Sequence, residues 1–134
     1  MPDASGKPMA ATAVAEIEAV IQTYFDGLYE GNVEKLAAAF HPVSHLYWEK
    51  DGGVEDLPRE QWFEWVRNRP SPAAKGLARD DRILMMDVSG PETAFVKVAC
   101  QIPPRYFTDY LALNRTKDGW KIVSKVFRTE VRDQ

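Results

Sequence analysis

The chain is poor in the residues that announce the commoner chemistries. It has one cysteine and two histidines among 134 residues. The lone thiol, Cys100, excludes an intramolecular disulfide, and so few soft ligands leave no zinc spacing. There is no excess of positive charge: 17 Lys and Arg face 20 Asp and Glu, a net charge of −3. Nucleic acid needs a basic surface, so it is not an expected partner. No apolar run approaches the roughly 18 residues that cross a bilayer, so no membrane is expected either. Met1–Ala11 carries no apolar segment of signal-peptide type, which makes the cytoplasm the expected location. A phosphate-binding glycine loop, a dinucleotide fingerprint and a serine-nucleophile elbow are all missing, so neither cofactor nor metal is expected. Repeats and low-complexity tracts are missing too.

What remains is an ordinary globular composition, 45% hydrophobic and 28% charged, in a length that suits one domain. Residues 1–11, with two Pro, a Gly and a Ser, read as a mobile tail before a single domain over 12–134. Thr12 is the candidate N-cap of a first helix over Ala13–Glu30. Val14, Ile17, Ile21, Tyr24 and Leu28 recur at spacings of three and four and form its apolar stripe, flanked by Val20 and Phe25. Gly31 stops that helix. Asn32 caps a second, Val33–Phe40, which Pro42 ends. Ser44–Lys50 reads as a strand with Ser44, Leu46 and Trp48 on one face and His45, Tyr47 and Glu49 on the other. Asp51-Gly52-Gly53 is a turn. Pro58 opens a third helix, Pro58–Asn68, that carries Trp62, Phe63, Trp65 and Val66. Strands follow over Arg82–Val88, Thr93–Ile102 and Arg105–Arg115. A Lys117-Asp118-Gly119 turn leads into Trp120–Val131. Helices early and antiparallel strands late predict an α+β domain, helices on one face of a curved sheet.

Asp109 is the residue most at odds with its surroundings. Strand parity puts it on one face with Phe107, Leu111 and Leu113, so it should be buried. A buried carboxylate must gain partners or stay protonated, and such acids concentrate in functional pockets. Asp109 is expected to be hydrogen-bonded with a raised pKa, so Asn should replace it at little cost in stability. Cys100 shares parity with Ala94, Val96 and Val98 and reads as a small buried hydrophobe. The last strand is apolar on both faces, with Trp120, Ile122 and Val126 on one and Val123 and Phe127 on the other. A sheet covered on one side should alternate more cleanly, so a twofold-related copy is expected on the second side.

Three blocks carry a family resemblance: Phe40-His41-Pro42, Phe107-Thr108-Asp109-Tyr110-Leu111, and Gly119-Trp120-Lys121-Ile122-Val123-Ser124-Lys125-Val126-Phe127. From about Ala15 onward the chain resembles the "putative lumazine-binding" family of the NTF2-like superfamily, which includes SnoaL-like cyclases and ketosteroid isomerases. The resemblance implies a cone-shaped fold, with three N-terminal helices on a strongly bent, mainly antiparallel mixed sheet. It also implies a pocket between them and a homodimer through the outer sheet face.

Ketosteroid isomerases use an aspartate base and an oxyanion hole made of a tyrosine and a protonated aspartic acid. The resemblance places the tyrosine at Tyr24 and the protonated acid at Asp109, but the base position falls on Trp48. An indole cannot abstract a proton, so isomerase chemistry is not expected from this trio. Trp48 would instead be an aromatic wall. The leading expectation is a binder of a small, flat, largely apolar ligand, anchored by Tyr24 and Asp109. One alternative is a cofactor-free isomerase, dehydratase or cyclase using another base, such as His41, Glu55 or Asp56. The other is a structural dimer module with a filled pocket. His41 suits a cation's place near a helix C-terminus. His45, Tyr47 and Glu49 read as surface or dimer-contact residues, and Trp62 and Trp65 as core or lid packing.

Overall fold

The computed structural model describes residues 9–133. Three helices and six strands follow in the order α1 (Met9–Glu30), α2 (Val33–Ala39), β1 (Phe40–Lys50), β2 (Gly53–Pro58), α3 (Arg59–Arg67), β3 (Arg82–Ser89), β4 (Thr93–Ile102), β5 (Arg105–Thr116) and β6 (Gly119–Val131). The fold is α+β, and the strands form one mixed sheet in the order β2-β1-β6-β5-β4-β3. β1 runs parallel to β6, and the other neighbours are antiparallel. Only α1 and α2 precede the sheet, because α3 enters after the first hairpin. Of the expected tail, residues 1–8 lie outside the described residues, and Met9, Ala10 and Ala11 belong to α1. Thr12 therefore lies inside the helix and is not its cap.

The apolar stripe of α1 buries Ala13, Ile17, Ile21, Tyr24, Phe25 and Leu28. Each large side chain so removed from water contributes roughly 1.5–3 kcal/mol. Gly31 ends the helix with φ of 66°, a left-handed conformation that glycine adopts without strain. The Asn32 side chain then accepts a hydrogen bond from the Lys35 backbone N–H at 3.1 Å and caps α2. This helix stops at Ala39. Phe40 already has extended φ and ψ, so Pro42 lies within β1 and is not the helix terminator. Cations do reach the end of α2, but they are Lys121, donating to the Ala38 carbonyl at 2.7 Å, and Arg59, donating to that of Phe40 at 2.8 Å. His41 instead accepts the Val43 N–H at its Nδ1.

β2 is the strand the sequence hides. Gly53, Glu55, Asp56 and Pro58 are poor strand formers, and of its residues only Leu57 is buried. The hairpin makes it: Lys50 pairs with Gly53 across Asp51 and Gly52, whose φ values of 52° and 84° suit a two-residue turn of primed type. Glu55 and Asp56 are thus strand residues, not loop acids.

β6 departs from simple alternation. Ala112 pairs with Ser124, while Leu113 pairs with Ile122. One residue of β6, Val123, is extra, which is a β-bulge. Before it Trp120 and Ile122 are buried; after it Lys125 is buried and Val126 is 48% exposed. Trp120, Ile122 and Val126 therefore do not share a face. On the outer side, Val126 joins Tyr110, whose ring lies 5.8 Å from that of Phe95.

α1 and α2 meet at Gly27. A Cβ there would lie 2.9 Å from Leu36 Cδ2 and 3.1 Å from the Leu36 backbone nitrogen. Gly→Ala in a helix usually stabilises by about 0.4–1 kcal/mol. Here the backbone contact should reverse the sign, and Gly27→Ala is expected to cost about 1–3 kcal/mol. Urea unfolding would read this as a lower midpoint at an unchanged slope.

Candidate functional site

Four elements aim polar atoms at one point in the core. α1 supplies Tyr24, β4 Cys100, β5 Asp109 and β6, past its bulge, Lys125. Tyr24 and Asp109 are fully buried, Cys100 is 4% exposed and Lys125 6%. The Tyr24 hydroxyl donates to Asp109 Oδ2 at 2.5 Å. It accepts from Lys125 Nζ at 2.8 Å. Lys125 Nζ stands 3.9 Å from Asp109 Oδ2, so cation and anion are joined through the phenol more than directly. The Cys100 thiol donates weakly to the same carboxylate oxygen at 3.7 Å. Asp109 Oδ1 has no hydrogen-bond partner among the described residues. Burial, reinforced by the charge of Asp109, raises the pKa of the Tyr24 hydroxyl well above its ordinary value. The same two causes raise that of the Cys100 thiol.

Lys125 separates this cluster from a cavity of about 170 Å³. Its ammonium lies 4.9 Å from the ring centres of Trp62 and Phe127 and 5.1 Å from that of Tyr24. Such cation–π contacts, each about 0.5–2 kcal/mol, offset part of the desolvation of a buried cation. Trp48 forms a wall, its ring centre 5.3 Å from that of Phe127 and 6.3 Å from that of Trp65. Trp65 is 51% exposed and stands at the mouth. Among the described residues, Arg69 is the other cation on the lining and no carboxylate lines it.

Of the residues singled out from sequence, Trp48 lines the cavity, while Tyr24 and Asp109 lie behind Lys125 and do not. Trp62 is core, as expected, yet it also lines the cavity together with Trp65. His41, Glu55 and Asp56 are not on the lining. Asp56 binds His45 Nδ1 at 2.5 Å on a more exposed part of β1 and β2. Sequence reasoning missed Lys125 altogether. Uninterrupted alternation would send it outward with Val123 and Phe127. The signal that could have found it is the buried acid itself: across β5 and β6, Lys125 pairs with Leu111, which puts it diagonal to Asp109.

Comparison with known proteins agrees with this architecture. The family model described as "Putative lumazine-binding" matches residues 12–128. The chain belongs to that family. It is NTF2-like, and solved structures share its fold. One is an NTF2-like protein of unknown function from Shewanella baltica, with a TM-score of 0.79 at 21% identity, covering 91% of this chain and 97% of that one. Another is a ketosteroid isomerase-like protein from Erwinia carotovora atroseptica, with a TM-score of 0.67 at 13% identity, covering 88% and 96%. Among characterised sequences, the chain is 29% identical over 123 residues to Aldolase FrzH from Cladobotryum sp., across 88% of this chain and 94% of that protein.

The expectation that Asn would replace Asp109 freely changes once Lys125 is in view, because the ammonium would lose its counter-charge. Asp109→Asn and Lys125→Met are each expected to cost about 3 kcal/mol by stranding one buried charge. Together they should cost clearly less than the sum of the two. A double-mutant cycle in urea measures this coupling, and additive losses would contradict the pairing.

Proposed function

We propose that the protein binds a small, flat, largely apolar molecule in the cavity between helices and sheet, the interior of its family's cone. The ligand's ring would lie against Trp48, and an electron-rich oxygen would face Lys125. One observation carries this reading: a cavity walled mainly by aromatic and aliphatic side chains holds the buried Lys125 amine, with no carboxylate on its lining among the described residues. Pockets of this kind, apolar with a few placed polar groups, are the usual form of small-molecule sites. Tyr24 and Asp109 act one layer back, holding Lys125 in place. A volume near 170 Å³ suits one ring or a compact pair, since a cavity of about 150 Å³ holds benzene. A steroid would not fit.

The second reading is a cofactor-free enzyme. The hydrogen-bonded path from Lys125 through Tyr24 to Asp109 can move a proton, and the likeness to a protein named an aldolase points the same way. Under that reading Lys125 takes the place left empty by Trp48 as the group that meets the substrate. We also propose a homodimer through the outer sheet face, where Phe95, Tyr110 and Val126 gather, and a cytoplasmic location, where a free thiol such as Cys100 stays reduced.

Two measurements test these proposals. Titration with one- and two-ring heteroaromatic ketones, lumazine among them, should quench tryptophan fluorescence. Trp48→Ala should weaken binding by roughly tenfold, the worth of one aromatic contact of about 0.5–1.5 kcal/mol. Silence across the panel at millimolar concentration would refute the binding reading. Sedimentation at micromolar concentration should give a species near twice 15.2 kDa, and a monomer there would refute the dimer.

A further inference from the structure

Lys125 is a nucleophile held one proton away from its reactive form. Its Nζ has a single hydrogen-bond acceptor among the described residues, the Tyr24 oxygen at 2.8 Å. That phenol in turn donates to Asp109 Oδ2 at 2.5 Å. The rest of the ammonium faces the rings of Trp62 and Phe127 and the cavity. If Nζ passes a proton to the Tyr24 oxygen while Tyr24 passes its own to Asp109, both buried charges vanish together. The products are an amine, a phenol and a carboxylic acid, and the net charge is unchanged. This transfer needs no water and leaves no charge behind, and a desolvated lysine amine is a competent nucleophile.

We propose that Lys125 forms an imine with the carbonyl group of an aldehyde or ketone bound in the cavity. This deepens the binding reading and rests on it. The amine lone pair attacks the carbonyl carbon, forming the C–N bond and moving the π pair onto oxygen. A proton passes from nitrogen to that oxygen and gives the carbinolamine. Asp109 then returns its proton through Tyr24 to the hydroxyl group. Water leaves as the C–O bond breaks, and the nitrogen pair closes the C=N bond. The balance is ammonium plus carbonyl to protonated imine plus water, with Asp109 a carboxylate again. No oxidant, reductant or metal enters. Lys125 is the reacting group, and Tyr24 and Asp109 are its proton path. The guanidinium of Arg69 does not form imines of this kind.

Benzaldehyde, one flat ring with one carbonyl, is a probe of the right size; benzyl alcohol is its counterpart without the carbonyl. The full chain is incubated with benzaldehyde and sodium cyanoborohydride near neutral pH, then mapped by peptide mass. The expected result is one benzyl group on Lys125, added on the order of tenfold faster than on exposed lysines such as Lys50 and Lys117. Lys125→Arg should abolish that adduct. Tyr24→Phe, which cuts the proton path, should slow it by about tenfold while benzyl alcohol still shows saturation transfer by NMR. Alkylation confined to exposed lysines, with benzyl alcohol still bound, would overturn the imine and leave the binding reading standing. Neither adduct at Lys125 nor saturation transfer would overturn both. An adduct that forms equally fast in Tyr24→Phe would remove Tyr24 from the path.

Discussion

An ammonium and a carboxylate share one apolar core, and the rest of the interior is arranged around that fact. Alone, either charge would cost several kcal/mol to bury. They do not meet head-on, because 3.9 Å separates them. Tyr24 closes the gap, accepting from one and donating to the other. That demand places a tyrosine in the stripe of α1, where another aliphatic side chain would otherwise serve the packing. It also explains the aromatic rings around Lys125, whose faces are the polar surface a cation can use where water is excluded.

Much of this was legible in the sequence, and what was not has physical causes. The stripe of α1 and the Asn32 cap follow from helical periodicity and capping chemistry. Asp109 stood out because strand parity forced a carboxylate among Phe107, Leu111 and Leu113, and it is fully buried. Trp48 lines the cavity, where the family resemblance put it. β2 was invisible because its turn makes the strand and its composition argues against one. Lys125 was invisible because a bulge leaves no mark in residue order: Val123 looks like any other strand valine. Thr12 misled in the opposite way, being a good cap residue inside a helix that continues past it.

The cavity and the polar cluster divide the interior between them. Trp48, Trp62, Phe107 and Phe127 line the cavity together with Lys125, whereas Tyr24 and Asp109 do not. The lysine is thus shared by both, and Asp109 is connected to it through the Tyr24 hydroxyl.

The parallel pairing of β1 with β6 has a mechanical meaning. β1 carries Trp48 and β6 carries Lys125, and the two strands lie side by side in mid-sheet, with Tyr47 registered on Val126. Lys125 is level with Leu46, so the polar end and the wall stand two residues apart along neighbouring strands, away from any free edge. Loop motion cannot pull them apart without breaking the pairing of β1 with β6. Whatever breathing the cavity has must come from its other side, where Trp65 sits on a nine-residue helix joined to the sheet at one end by a short hairpin strand. The pocket has one wall on the sheet and another on α3, and Trp48 and Lys125 both stand on the sheet side.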